Sequence, residues 1–142
     1  MITNLLCKHI QMKEEVKDWK EAITIAAKPL LEVKAINEHY IKAMITNVEE
    51  NGPYIVIMPD VAMPHSRVED GAFETATSIL KIEKGVMFPM DKEVHLIIVL
   101  AAHDNDAHMQ LLSDMVDVFM DEEKMEQLLT ANSVAKIEGI LQ

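Results

Sequence analysis

The chain of 142 residues has one cysteine, Cys7, and one arginine, Arg67. A lone cysteine excludes an internal disulfide and fits a reducing compartment. Its neighbourhood lacks the basic or histidine-rich setting that activates a thiol, so Cys7 reads as a small packed hydrophobe. Positive charge is scarce: 13 Lys plus Arg stand against 24 Asp plus Glu, a formal net charge of −11. Such a surface repels phosphate backbones and anionic lipid, which argues against nucleic-acid and membrane roles and favours a partner with a basic docking patch. No apolar run approaches the length of a membrane span. Met1–Leu6 lacks the charged start and long apolar core of a signal peptide. Repeats, low-complexity tracts and long linkers are absent too. The expectation is a soluble cytoplasmic protein folded as a single domain over residues 1–142, with half its residues apolar and a sizeable core.

What is present is an alternation of helix and strand signals. Asn4–Met12 reads as a short strand. Asp18 and Glu21 have the spacing of a capping box, and Trp19, Ala22, Ile23 and Ala26 recur at helical period until Pro29 closes the segment near Ala27–Lys28. Asn37 caps a second helix with Tyr40, Ala43, Met44 and Val48 on its apolar face, ended by Asn51-Gly52-Pro53. Thr75–Glu83 reads as a strand, Lys84-Gly85 as its turn and Val86–Met90 as a loop or short extended piece. Val94–Ala102 is apolar throughout, the pattern of a central strand covered on both faces. A helix follows, with Asn105 or Asp106 as N-cap and an apolar stripe of Met109, Leu112, Met115, Val116 and Phe119. Asp121–Thr130 and Ser133–Gln142 make two more helices. The eleven methionines are core filler at helical and strand spacing. The fold class is α/β, a central mixed β-sheet flanked by helices on both faces.

The most informative stretch runs from Tyr54 to Gly71. Two short apolar runs, Tyr54–Met58 and Val61–Met63, lead into Pro64, which fixes its own φ and biases Met63 towards extended backbone. His65 is thus delivered at the end of an extended segment. Arg67 follows two residues later, and side chains at i and i+2 of an extended chain share a face. An imidazole beside a forked, permanent cation suits a phosphoryl or carboxylate group. The plain alternative is a strand end with a capping turn.

His108 lies in the first turn of the helix after the apolar strand. Open α/β sheets place their sites outside the carboxyl ends of strands, and a helix N-terminus offers free N–H groups to an anion. The same field disfavours imidazolium and holds a nearby histidine neutral. A neutral imidazole can accept a phosphoryl group and pass it on, a reaction that asks mainly for in-line positioning and charge stabilisation. In that scheme His65 is the nucleophile, His108 steadies the transferred group, Arg67 offsets its charge, and Asp104 or Asp106 orients a ring. Taken singly, His108 reads as a helix-start residue in water, His103 as a strand cap, and His39 and His95 as surface or edge-of-core side chains.

Met63-Pro-His-Ser-Arg-Val-Glu-Asp-Gly71, followed by Asp104-Asn-Asp-Ala-His-Met-Gln-Leu-Leu112, resembles the enzyme IIA components of the phosphotransferase system (PTS), mannitol/fructose class. Within that class the ascorbate-type branch is most similar. The resemblance implies a central mixed sheet with helices on both faces. It implies that His65 is phosphorylated by the carrier protein HPr and passes the phosphoryl group to a IIB protein, with His108 as the accompanying active-site histidine. A IIC membrane protein then imports the sugar. No cofactor and no metal are implied, and a homodimer stays open. Two departures stand out. Some members of the class carry an arginine before the histidine strand, where this chain has Glu49 and Glu50, so charge stabilisation falls to Arg67 or to backbone. Ser66-Arg67-Val68 replaces the Gly-Thr step of mannitol relatives.

Two rival readings accompany this one. A IIA-like chain can act as a regulatory module whose phosphorylation state is read by another protein. A zinc site could be drawn from His65, His103, His108 and Asp104, although no His-x-x-x-His spacing occurs within one element.

Overall fold

The computed structural model describes residues 2–142. The strands are β1 (Ile10–Lys13), β2 (Val56–Met58), β3 (Asp60–Ala62), β4 (Ala76–Phe88) and β5 (Lys92–Ala101), joined in one sheet of order β1-β4-β5-β3-β2. The sheet is mixed: β1 runs parallel to β4 and β3 parallel to β5, whereas β4 pairs antiparallel with β5 and β2 with β3. The helices are α1 (Ile2–Leu6), α2 (Trp19–Glu32), α3 (Glu38–Asn51), α4 (Asn105–Met120), α5 (Glu122–Thr130) and α6 (Val134–Leu141), with a 3₁₀ turn at Val68–Asp70.

Alternation along β5 decides which helices lie where. Ile97, Val99 and Ala101 pack with α2 and α3, while Leu96, Ile98 and Leu100 pack with residues of α4, α5 and α6. The apolar strand therefore lies mid-sheet with both faces covered, as its composition requires. The α/β class and the flanked mixed sheet expected above are the architecture observed.

Several local expectations change. The segment expected as a strand over Asn4–Met12 is helical to Leu6, and its strand begins only at Ile10. Pro29 does not end α2, which continues to Glu32. A proline inside a helix leaves the carbonyl four residues earlier without its donor; here that carbonyl, Ile25, accepts from the Gln11 side chain at 2.8 Å. Strand β1 thus repairs the ladder that the proline breaks. β4 runs unbroken through Lys84-Gly85 to Phe88, with a bulge where a turn was expected. The cap of α4 is Asp104, whose Oδ1 accepts the Ala107 N–H at 2.7 Å. The buried stripe of α4 is Leu111, Met115 and Val118, while Met109 and Val116 are exposed.

Candidate functional site

β3 ends at Ala62, and the chain leaves regular secondary structure through Met63 and Pro64 to His65. Backbone bonds pin this exit on two sides. The Met63 N–H donates to Ile55 at 2.8 Å, and Pro64 accepts from the Leu100 N–H at 3.0 Å, near the end of β5. The proline contributes no donor, so its carbonyl is the group that ties the loop to the central strand.

His65 is half-buried. Its Nδ1 lies 2.8 Å from the Met63 carbonyl. A carbonyl can only accept, so Nδ1 carries a proton and the lone pair of the neutral ring is on Nε2. Burial pushes the imidazole pKa down, the Met63 carbonyl pulls it partly back, and the nearby His108 pushes it down again. Burial is the chief cause of the shift, which favours the neutral ring.

The His108 ring centroid lies 5.6 Å from that of His65, with the planes at 52°. Tyr54 stands edge-on to His65 at 6.4 Å. His108 is on the first turn of α4, where its own N–H already donates to the Asp104 carbonyl at 3.0 Å. Two rings 43 positions apart in sequence share one surface because β3 and β5 are parallel neighbours and end at the same edge of the sheet.

Arg67 is largely exposed. Its Nε lies 3.5 Å from Glu69 and 3.8 Å from Asp70, two carboxylates of its own turn. His103 lies apart from the pair of rings in its bonding: its Nδ1 meets the Thr75 hydroxyl at 2.6 Å, and Nε2 meets Asp104 Oδ2 at 3.1 Å. Asp104 thus orients His103 and caps α4. His39 Nδ1 donates to the Asp70 carbonyl at 2.7 Å.

Sequence reasoning missed the support beneath His65. Tyr40, fully buried on α3, accepts the Ser66 N–H at 3.0 Å. The Ser66 hydroxyl donates to Asp70 Oδ2 at 2.5 Å and receives the Asn47 amide at 3.2 Å. The Ser66 hydroxyl is the chief reason that the Asp70 carboxyl is held below its ordinary range. The available signal was Tyr40 itself: a phenol on an apolar helix face has a hydroxyl that must find a partner.

Residues 4–142 match the family described as phosphoenolpyruvate-dependent sugar phosphotransferase system, EIIA 2. The chain belongs to that family. As an EIIA 2 protein it is a phosphotransfer component of a sugar uptake system. It is 40% identical over 133 residues to the mannitol-specific cryptic phosphotransferase enzyme IIA component of Escherichia coli strain K12, covering 93% of this chain and 90% of the relative. A solution structure of the E. coli protein of that description superposes with a TM-score of 0.92 at 37% identity, over 99% of this chain and 97% of that one. Identity to the ascorbate-specific PTS EIIA component of the same strain is 34% over 124 residues, 85% of this chain and 80% of the relative. The E. coli complex of enzyme IIA-mannitol with phosphorylated enzyme IIB-mannitol matches this EIIA 2 chain with a TM-score of 0.79 at 25% identity, over 94% of this chain and 93% of that chain. No described helix of the chain is long and apolar enough to cross a membrane.

Proposed function

We propose that this EIIA 2 chain carries the phosphoryl group on Nε2 of His65, receiving it from phospho-HPr and delivering it to a IIB protein that serves a IIC sugar transporter. The observation that carries the reading is the bond between His65 Nδ1 and the Met63 carbonyl. It commits one nitrogen to the protein and leaves the other as a lone pair on a half-buried ring. In the first transfer, the Nε2 electron pair forms the new N–P bond as the donor's N–P bond breaks and its pair returns to the donor ring. No proton need move. Nδ1 keeps its proton, donated to the Met63 carbonyl, so the phosphorylated ring is cationic beside its phosphoryl group and leaves as neutral imidazole when a IIB nucleophile attacks phosphorus. Positioning and charge stabilisation are the protein's main tasks in such a transfer.

His108, one ring away, is the side chain assigned to hydrogen-bond the phosphoryl oxygens. Arg67 is the cation nearest in sequence and offsets their charge after turning from Glu69 and Asp70. The exposed apolar side chains of Tyr54 and Met109 adjoin the two histidines and suit a protein partner over a small substrate. The net charge of −11 suits HPr, whose active-site face is basic in this system.

The test is transfer of labelled phosphate from phosphoenolpyruvate through HPr to this chain, then to mannitol-type and ascorbate-type IIB proteins in parallel. His65→Ala should abolish labelling, His39→Ala should leave it intact, and the IIB that accepts the label names the sugar branch. Undiminished labelling of His65→Ala would overturn the assignment.

A further inference from the structure

At the other end of the two parallel strands from His65, a second group of ligating side chains converges. Asp60 opens β3, and Glu93 and His95 lie near the start of β5. His95 Nε2 stands 3.9 Å from Asp60 Oδ1 and 3.8 Å from Glu93 Oε1, and one ligand atom from each of the three lies within 4.8 Å of the others. We propose that Asp60, Glu93 and His95 form a binding site for a divalent transition-metal ion such as zinc.

The sheet is deformed on both sides to present His95. Along β3, Asp60 pairs with Val94 and Val61 with Leu96, so His95 is bulged out of the register. Along β4, Lys81 pairs with Leu96 and Val86 with Val94, so residues 82–85 stand opposite His95 alone. Bulges of this kind re-aim a side chain. Gly85, at φ +73°, makes room for the ring: a Cβ there would lie 2.7 Å from His95 Nε2.

The ring is also oriented as a ligand requires. His95 Nδ1 lies 3.2 Å from the Ile82 carbonyl, which can only accept, so Nε2 is the lone-pair nitrogen. Metal-bound histidines are commonly fixed by such a carbonyl on the other nitrogen. The lone pair and the two carboxylate oxygens, three electron-rich atoms, then face one another. Ligand atoms around a tetrahedral zinc, each about 2.1 Å from the ion, lie roughly 3.4 Å apart. The observed 3.8 and 3.9 Å, with all three ligand atoms within 4.8 Å of one another, approach that spacing, and both carboxylates are partly exposed. Asp91 adds a carboxylate to the lining of the adjoining cleft, where Lys92 is the one cation among the described lining residues. An imidazole with carboxylates suits zinc, and remaining positions are left to water. The ion would tie the start of β3, the strand that leads to His65, to β5.

The experiment is titration of the full chain with zinc by calorimetry and with cobalt(II) by its visible spectrum, at neutral pH and in parallel with variants. One equivalent should bind, with affinity at least tenfold lower in both His95→Gln and Glu93→Gln and unchanged in His65→Gln with His108→Gln. Glu93 is exposed, so Glu93→Gln keeps the test open where His95→Gln fails to fold. Absence of saturable binding, binding indifferent to Glu93→Gln, or binding lost with His65 and His108 would each overturn the proposal.

Discussion

The Tyr40 hydroxyl bridges Ser66, the residue after His65, and Leu100 of the central strand: it accepts the Ser66 N–H at 3.0 Å and donates to the Leu100 carbonyl at 2.7 Å. One phenol on α3 therefore sets the height of the His65 loop above β5. Burial pushes its pKa up to about 12, so it keeps its proton at any physiological pH.

Tyr40→Phe preserves the ring and leaves the Ser66 N–H and the Leu100 carbonyl buried without this partner. The expected loss is about 1–3 kcal/mol of stability, read by chemical denaturation. Labelling by phospho-HPr should slow several-fold, since His65 follows the loop. Unchanged stability and unchanged labelling would show that water or a shifted loop replaces the hydroxyl.

The lowered pKa of His65 has a defined sign. The unfolded chain takes up this proton near pH 6.5, whereas the folded ring resists it. The group's contribution to stability is therefore full above about pH 6.5 and declines as pH falls from there through the folded value. His65→Gln should flatten the stability profile below pH 6.5. In the wild type, NMR titration should place the His65 ring below the value of a free histidine, and acceptor activity should persist at pH 6.

Gln11 and Pro29 form a testable pair. Gln11→Ala strips the Ile25 carbonyl of its side-chain donor and should cost about 1 kcal/mol. In a Pro29→Ala background a backbone N–H returns to bond that carbonyl, so the same substitution should cost less. A double-mutant cycle measures the difference, and strict additivity would separate the two residues.

Gly71→Ala should be among the more damaging glycine substitutions. Gly71 has φ +127°, and a Cβ there would overlap the Asn37 side chain that caps α3. Strained backbone and a displaced cap together should lower stability by about 1–3 kcal/mol. Thermal unfolding checks this, with Gly139→Ala, which meets open space in α6, as the contrast.

The elements were largely legible because their signals are local. Asp18 and Asn37 each cap the helix expected of them, since a cap depends on residues three positions apart, and the two helices expected to begin at Asp121 and Ser133 are capped by those residues. Errors arose where a distant group intervened. Pro29 reads as a terminator until Gln11 supplies the missing donor from β1. Lys84-Gly85 reads as a turn until β5 holds β4 extended past it. The α4 stripe was misjudged because Met109 and Val116 are apolar yet face outward.

By itself the amino-acid order determined the helical periods, the all-apolar central strand, the proline set just before His65 and the excess of negative charge, all properties of neighbouring residues. Tertiary structure alone decided that His65 and His108 meet, because a parallel pairing of β3 with β5 brings their ends to one edge. It also decided which nitrogen of His65 is free, since the proton follows the Met63 carbonyl. A tautomer and a contact across the sheet are set by atoms in space, and the order of residues specifies them only through the fold.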